Sequence, residues 1–477
     1  MIKQTSLSPM LCHCEDSLIK VIKIINDNCM GIAFVVEDDN KLVGTVTDGD
    51  IRRALLEDIS LDEKVGKVVS KNCVFGSSKD SYDTLMDKMT RKIKVLPIVD
   101  GQHRVVDYIE FKQQVSFPVA IPNLSGNEFK YLNDAFLSSW ISSSGEYISK
   151  FETQFAEFCG ADYGVAVSNG TVALHLALVS LGIGPGDEVV VPDLTFAATI
   201  NAVIHAGATP VIVDIESDSW CIDPQKIEEA ISAKTKAIIP VHLFGQPCDM
   251  EAIMQLAKTH DLFVIEDCAQ AHGAEFKGQK VGSFGDIGCF SFFGNKVITT
   301  GEGGMCITNS SDLDEKMRVR RDHGMSKTKR YWHDVIGYNY RLTNLQAAIG
   351  LAQLERIDDI LENRRVYENS YKSAFKNKPV SFQADLPERK RITWLVSVLL
   401  DKSRDELSDY ISRLKNAGLD VRPFFYPLSD MELYKEFCAK PCPVAKMVSQ
   451  KGLNFPTYES LKNIDEIEAI IKELNSL

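Results

Sequence analysis

The sequence predicts an α/β protein whose large domain is built on a mostly parallel sheet, with a small repeated module before it and a smaller α+β lobe after it. Three observations carry this. In the middle of the chain, near-continuous apolar runs alternate with amphipathic helical stretches. The first ~115 residues hold two copies of one helix–strand–strand pattern. Past Arg365 the alternation gives way to WLVSVLL, then ELSDYISRLKNAGL, then a helical pattern near 464–475. At 477 residues the chain exceeds one ordinary domain, and the expected divisions are 1–115, 118–365 and 366–477.

Composition narrows the class. With 44% apolar and 25% charged residues the chain reads as globular. A net charge of -13 argues against nucleic-acid binding and suits a soluble cytosolic protein. No apolar run is long enough to span a bilayer, and MIKQTSLSPMLCHCEDSLIK lacks a signal-peptide core, so no membrane partner is expected. The twelve cysteines are scattered, mostly within apolar segments. Neither Cys12/Cys14 nor Cys438/Cys442 is completed into a zinc pattern, so free thiols in a reducing compartment are expected, and no metal.

In the repeat, Leu18, Val21, Ile22 and Ile25 share a helical face, and Tyr82, Leu85, Met86 and Met89 reproduce that spacing. Strand-like AFVV and KLVGTV flank the turn EDDN, and KVLPIV and RVVDYI flank DGQH. Two such units bury a shared face. The module resembles a tandem CBS-domain (Bateman) module, most specifically in GTVTDGDIRR, residues 44–53. The resemblance implies an adenine nucleotide whose ribose is held by Thr47 and Asp50. The second copy, RVVDYIEFK, lacks that pair, and a spacer or dimerisation role without ligand is the competing reading.

After a Pro-containing linker, KQQVSFPVAIP (112–122), the strands read VAVS, EVVVP, PVIVDI, AIIPVHL, LFVIED, CFSFF and GMCIT. Four stretches bear chemistry. VSNGTVALHLAL (167–178) puts Gly170 and Thr171 at a helix start, where free N–H groups suit a phosphate. In VPDLTFAAT, Phe196 lies just past a strand and can stack on a planar ring. LFVIEDCAQAHGA places Asp267 at the carboxyl end of a strand with Gln270 three residues on; a buried carboxylate there needs a partner, and a protonated ring nitrogen serves. SFFGNKVITTGEGGM supplies Ser291 and, behind aromatics, Lys296, with glycines that let backbone approach whatever the lysine holds. A lysine desolvated in this way has a depressed pKa and attacks carbonyls. A phosphate cradle, a stacking ring, a carboxylate for a ring nitrogen and a lysine for an aldehyde together describe pyridoxal 5′-phosphate.

Residues ~118–477 closely resemble the DegT/DnrJ/EryC1/StrS family of nucleotide-sugar aminotransferases, through IPNLSGNE, VSNGTVALHLAL, PGDEVVVPDLTF, EDCAQAHGA, SFFGNKVITTGEGG and IGYNYRLTNLQAAIGLAQLE. The resemblance implies the fold-type I, aspartate aminotransferase-like fold. By it, Lys296 bonds the cofactor aldehyde and shuttles the proton, Asp267 keeps the ring nitrogen protonated, and Gln270 meets the ring hydroxyl. Gly170, Thr171 and Ser291 hold the phosphate and Phe196 covers the ring. The motif GYNYRLTN implies that Asn339, with Arg341 ranked second, reaches the phosphate of the other subunit, making a homodimer with shared sites. Glutamate is the implied amino donor and a nucleotide-linked 4-keto-6-deoxy sugar the acceptor. The expected acceptor is GDP-4-keto-6-deoxymannose, with a UDP-4-keto-6-deoxy-N-acetylhexosamine as the alternative. A nucleotide sensor with an inactive aminotransferase scaffold is the alternative of another class. A sugar dehydratase is disfavoured by Lys296, since relatives of that kind carry histidine there. His242 and His323 are read as structural.

Overall fold

The computed structural model describes residues 7–28, 30–80, 84–85, 88–89, 93–110 and 117–458. The chain forms two compact units, Met1–Gln114 and Val115–Leu477. The helix expected near 464–475, and Tyr82 and Met86 of the second repeat, lie outside the described residues.

In the first unit, β1 (Leu11–His13) pairs in parallel with β2 (Ile32–Val36), which pairs antiparallel with β3 (Leu42–Thr47). β4 (Gly76–Ser77), β5 (Val95–Val99) and β6 (Val105–Glu110) repeat the same order with the same strand senses. This is the internal repeat that the sequence pattern predicts. Helix α1 (Leu18–Asn28) forms because Leu18, Val21 and Ile25 recur at helical spacing, and all three are buried. The copies share a face: Phe34, Val36 and Leu42 cluster with Val95, Val99 and Val105. Backbone stitches them too, since Leu42 N–H donates to His103 O at 3.0 Å.

The second unit is organised by a seven-stranded sheet. Its strands are β7 (Tyr163–Val167), β8 (Glu188–Pro192), β9 (Thr209–Val213), β10 (Thr235–Ile238), β11 (Phe263–Asp267), β12 (Ile287–Ser291) and β13 (Gly304–Thr308). Their spatial order is β7-β13-β12-β11-β10-β8-β9. The run from β12 to β9 is parallel throughout, and β13 lies antiparallel between β12 and β7. Most of these strands read as near-continuous apolar runs because both sheet faces are covered, whereas β10, TKAI, carries exposed Lys236. Helix α3 (Gly170–Ser180) is apolar around its circumference, and Leu174, His175, Leu176 and Leu178 are all buried. Elsewhere in the core Phe155 packs on Phe290 and Phe292 at centroid distances of 4.9 and 5.0 Å. Truncating Phe155 to alanine would cost about 3–5 kcal/mol.

A second, four-stranded sheet carries the smaller lobe: β14 (Val380–Phe382), β15 (Val396–Leu400), β16 (Arg422–Pro423) and β17 (Gly452–Phe455), in the order β14-β15-β17-β16. Helix α4 (Ile357–Ala374) contributes Tyr371 to its core beside Val398, Leu414 and Phe455. The division expected at Arg365 falls inside α4, which runs unbroken from one lobe into the other.

Candidate active site

The parallel strands β11 and β12 end side by side, with Asp267 in register with Cys289. A cavity of about 570 Å³ opens beyond their carboxyl ends, where open α/β sheets bind ligands. Gly170, Thr171, Phe196, Asp267, Gln270, Ser291 and Lys296 all line it. Residues spread over 127 sequence positions (296 minus 170, inclusive) thus meet at one place, as the motif reading anticipates.

The phosphate cradle comes from local backbone chemistry. Asn169 caps α3 by accepting from Val172 N–H at 3.0 Å. That leaves the N–H groups of Gly170 and Thr171 facing outward at the positive end of the helix. Ser291, at the end of β12, closes the other side. A Cβ on Gly170 would stand 2.7 Å from the Ser291 Cβ, so only glycine lets the helix start approach the strand end this closely.

Asp267 is 5% exposed. Its carboxylate accepts from Thr199 Oγ1 at 2.8 Å and from Ala269 N–H at 3.1 Å. Burial raises its pKa against the pull of these bonds and of Lys296. No cation lies within ion-pair distance of it among the described residues, and a buried carboxylate in that state calls for a cationic partner. Gln270 accepts Phe244 N–H on Oε1 at 2.8 Å. A backbone donor can meet only the oxygen, so the amide orientation is fixed and its NH₂ is left to donate into the cavity.

Lys296 is half-buried. Burial lowers its pKa to about 8 against the opposing attraction of Asp267. Its Nζ lies over the Trp394 ring, 4.3 Å from the centroid. Phe196 is 58% exposed at the mouth, with its ring 5.7 Å from that of Phe425. These side chains suit pyridoxal phosphate: a helix start with a closing hydroxyl, a lone carboxylate deep in the sheet, an amide donor, an aromatic lid and a lysine of depressed pKa.

Some expectations are placed elsewhere or need revision. Asn339 is exposed on another segment, does not line this cavity in its own chain, and accepts from Arg341 Nε at 3.1 Å. Arg341 pairs with Asp322 at 3.0 Å. The glycine run behind Lys296 was expected to make room for what the lysine holds. At Gly304 the chain itself comes close, since a Cβ there would lie 2.5 Å from Asn169 O. His242 is wholly buried, meets Glu266 at 3.1 Å and accepts Cys248 N–H at 3.0 Å. Glu266 also accepts from Gly282, Phe284 and Gly285 N–H, so two of the three members of the His242–Glu266–Cys268 cluster already have hydrogen-bond partners. His323 lies 3.4 Å from Arg341.

Thr47 and Asp50 sit together at the start of α2 (Asp48–Leu56), as a capping box. Thr47 Oγ1 donates to Asp50 at 2.6 Å, and Arg53 pairs with the other carboxylate oxygen at 2.6 Å. Partial burial works to raise the Asp50 pKa, but these bonds outweigh it and hold it below the ordinary value.

Three residues around the cavity have no counterpart in the motif reading. Thr199 reaches Asp267 from the helix after Phe196, Phe244 fixes Gln270, and Trp394 faces Lys296 from the smaller lobe. Trp394 opens WLVSVLL, where it reads as the first residue of an apolar strand.

Fold and cavity together define an aminotransferase of the pyridoxal phosphate-dependent fold class. The chain belongs to the DegT/DnrJ/EryC1/StrS aminotransferase family, whose model matches residues 122–475. A CBS domain model matches residues 5–57, the first of the two repeats. The chain is 47% identical over 358 residues to a GDP-perosamine synthase of Escherichia coli O157:H7, covering 75% of this chain and 97% of that protein. It is 44% identical to a GDP-perosamine synthase of Vibrio cholerae, covering 74% and 96% respectively. Among solved structures, a putative sugar aminotransferase of Streptococcus pneumoniae in its PLP form superposes with a TM-score of 0.72 at 28% identity, over 76% of this chain and 99% of the other. No helix among the described residues is long and apolar enough to cross a membrane.

Proposed function

We propose that the chain is a 4-aminotransferase that uses pyridoxal 5′-phosphate and L-glutamate to convert a nucleotide-linked 4-keto-6-deoxy sugar, GDP-4-keto-6-deoxymannose, into the 4-amino sugar. The observation that carries this is the convergence of Lys296, Asp267, Gln270, Gly170, Thr171 and Ser291 on one cavity. The similarity to two GDP-perosamine synthases over nearly their whole lengths supports the sugar and the nucleotide.

Bound there, the cofactor would supply an aldehyde for amines and a cationic ring that draws electrons. The chain's residues supply the rest. Gly170 and Thr171 N–H and Ser291 Oγ would hold the phosphate, and Asp267 would keep a proton on the ring nitrogen. The Gln270 amide would donate to the ring oxygen, and Phe196 would exclude water from the exposed face. With a pKa of about 8, Lys296 Nζ is partly neutral near pH 7. It takes the Cα proton of the donor amino acid and returns a proton to C4 of the sugar in the reverse sense. A homodimer in which Asn339 of the partner subunit completes the phosphate site fits the exposure of that residue.

In the first unit, an adenine nucleotide at Thr47 and Asp50 would modulate activity or assembly. Its ribose would have to draw Asp50 away from Arg53. Titration calorimetry with ATP, ADP and AMP tests this, and no heat up to millimolar ligand removes it.

The cofactor assignment is tested by mixing the purified protein with pyridoxal phosphate and recording its visible absorbance. The expected result is a stoichiometric lysine-linked band, absent in Lys296→Ala. A protein that stays colourless would favour the sensor reading.

A further inference from the structure

Lys296 carries a long, flexible stem and a strongly hydrated head. The most strongly charged neighbour of its amine is Asp267. Direct pairing of the two would occupy the carboxylate that the ring nitrogen needs. Yet among the described residues no carboxylate oxygen lies within 4.0 Å of Nζ. The ammonium lies over the face of Trp394 instead, 4.3 Å from the ring centroid.

Trp394 is held for this position from two sides. Its indole Nε1–H donates at 2.8 Å to the carbonyl of Asn295, the residue before the lysine. Its ring stacks on Phe244, with centroids 6.2 Å apart and planes 18° from parallel. Phe244 in turn is pinned through its N–H to Gln270. It holds φ +53°, a left-handed conformation costly for a bulky residue. Strain of that kind persists where the surroundings impose it. Ring, lysine loop and Gln270 are thus tied into one unit across the two lobes.

We infer that Trp394 is a positioning residue: its ring face receives the Lys296 ammonium whenever the amine is unbonded, and so keeps it clear of Asp267. This rests on the assignment of Lys296 and Asp267 given above. The other titratable groups facing the amine are Glu302, in the wall of the same cavity, and His272 behind β12. His272 is fully buried and pushed down to about 3, so it stays neutral. Asp267 and Trp394 then share the control of where the charge rests.

The test needs no cofactor. Full-length, cofactor-free protein is labelled with 5-fluorotryptophan and followed by ¹⁹F NMR from pH 6 to 10. The chain has four tryptophans, so the Trp394 signal is assigned by its loss in Trp394→Phe. That signal is expected to titrate with a midpoint near the lysine value of about 8, and to stop titrating in Lys296→Met. In parallel, competitive acetylation read by peptide mass spectrometry gives the Lys296 midpoint directly. Trp394→Leu, which removes the ring face and leaves the ammonium free to pair with Asp267, is expected to raise it by about 0.5 unit or more. Trp394→Phe, which keeps a face but loses the indole N–H, is expected to leave it nearer the wild-type value. A pH-independent Trp394 signal overturns the inference, as does a titration that survives Lys296→Met, an unmoved or lowered midpoint in Trp394→Leu, or equal shifts in both variants. If Trp394→Leu fails to fold, the fluorine titration decides alone. Failure of the cofactor assignment would show separately, as a protein that never colours with pyridoxal phosphate.

Discussion

Replacing Lys296 by methionine should make the cofactor-free protein more stable while removing its activity. The amine has a pKa of about 8 in the folded chain against an ordinary 10.5. The sign follows from proton binding. Between those two values the unfolded chain holds the proton and the folded chain does not, so stability rises as pH rises through that window. Below about 8 the folded chain carries the full cost of a desolvated ammonium. A difference of 2.5 units (10.5 minus 8) at 1.36 kcal/mol per unit gives an upper figure of about 3 kcal/mol. Solvent reaches the half-buried residue through the open cavity, and the lost contact with Trp394 is worth about 0.5–2 kcal/mol in the other direction. The expected net gain at pH 7 is therefore about 1–2 kcal/mol, fading between pH 8 and 10.5. Methionine has nearly the lysine stem's volume and leaves no large void. Urea unfolding of wild type and variant at pH 7 and pH 10.5, without cofactor, reads this directly. A variant less stable than wild type at pH 7, or a gain that does not shrink with rising pH, would refute the reasoning that the lysine is kept reactive by burial.

Other perturbations separate the parts of the site. Asp267→Asn should fold normally yet lose about 10²–10⁴-fold in kcat/KM, as expected when one partner of a buried charge pair is removed, about 3–5 kcal/mol; activity within tenfold of wild type would contradict the role. Gly170→Ala places a Cβ 2.7 Å from Ser291, so it should weaken pyridoxal phosphate binding at least tenfold in an absorbance titration. Thr47→Ala removes the cap of α2 and should lower the stability of the first unit by about 1 kcal/mol in denaturant unfolding, with aminotransferase turnover unchanged when no nucleotide is added.

Most strands of the large sheet are legible in the sequence because both of their faces are largely buried, which writes them as near-continuous apolar runs such as EVVVP and LFVIED. The repeat in the first unit is legible for the same kind of reason, since equal patterns must bury equal faces. Within the cavity, Gly170, Asp267, Ser291 and Lys296 stand at strand ends and helix starts, where local sequence already constrains chemistry. Trp394 does not: its contact with Lys296 joins positions 98 residues apart in two lobes, and an aromatic at a strand start reads as core. Phe244 is hidden for another reason. Its left-handed backbone is imposed by tertiary contacts, and no local pattern marks a phenylalanine for it. The division expected at Arg365 falls within α4, which carries the chain through that point as one helix, so the change in strand pattern coincides with no break in the chain's helical course.

The central claim is best tested by turnover itself. The purified chain, with pyridoxal phosphate and L-glutamate, is offered GDP-4-keto-6-deoxymannose and, separately, a UDP-4-keto-6-deoxy-N-acetylhexosamine, and products are followed by mass spectrometry. The expected result is a GDP-linked 4-amino sugar formed in step with 2-oxoglutarate, at a kcat/KM well above that for the UDP sugar, and no product from Lys296→Ala. Preference for the UDP sugar would keep the site and overturn the substrate; no amino sugar from either would contradict the account.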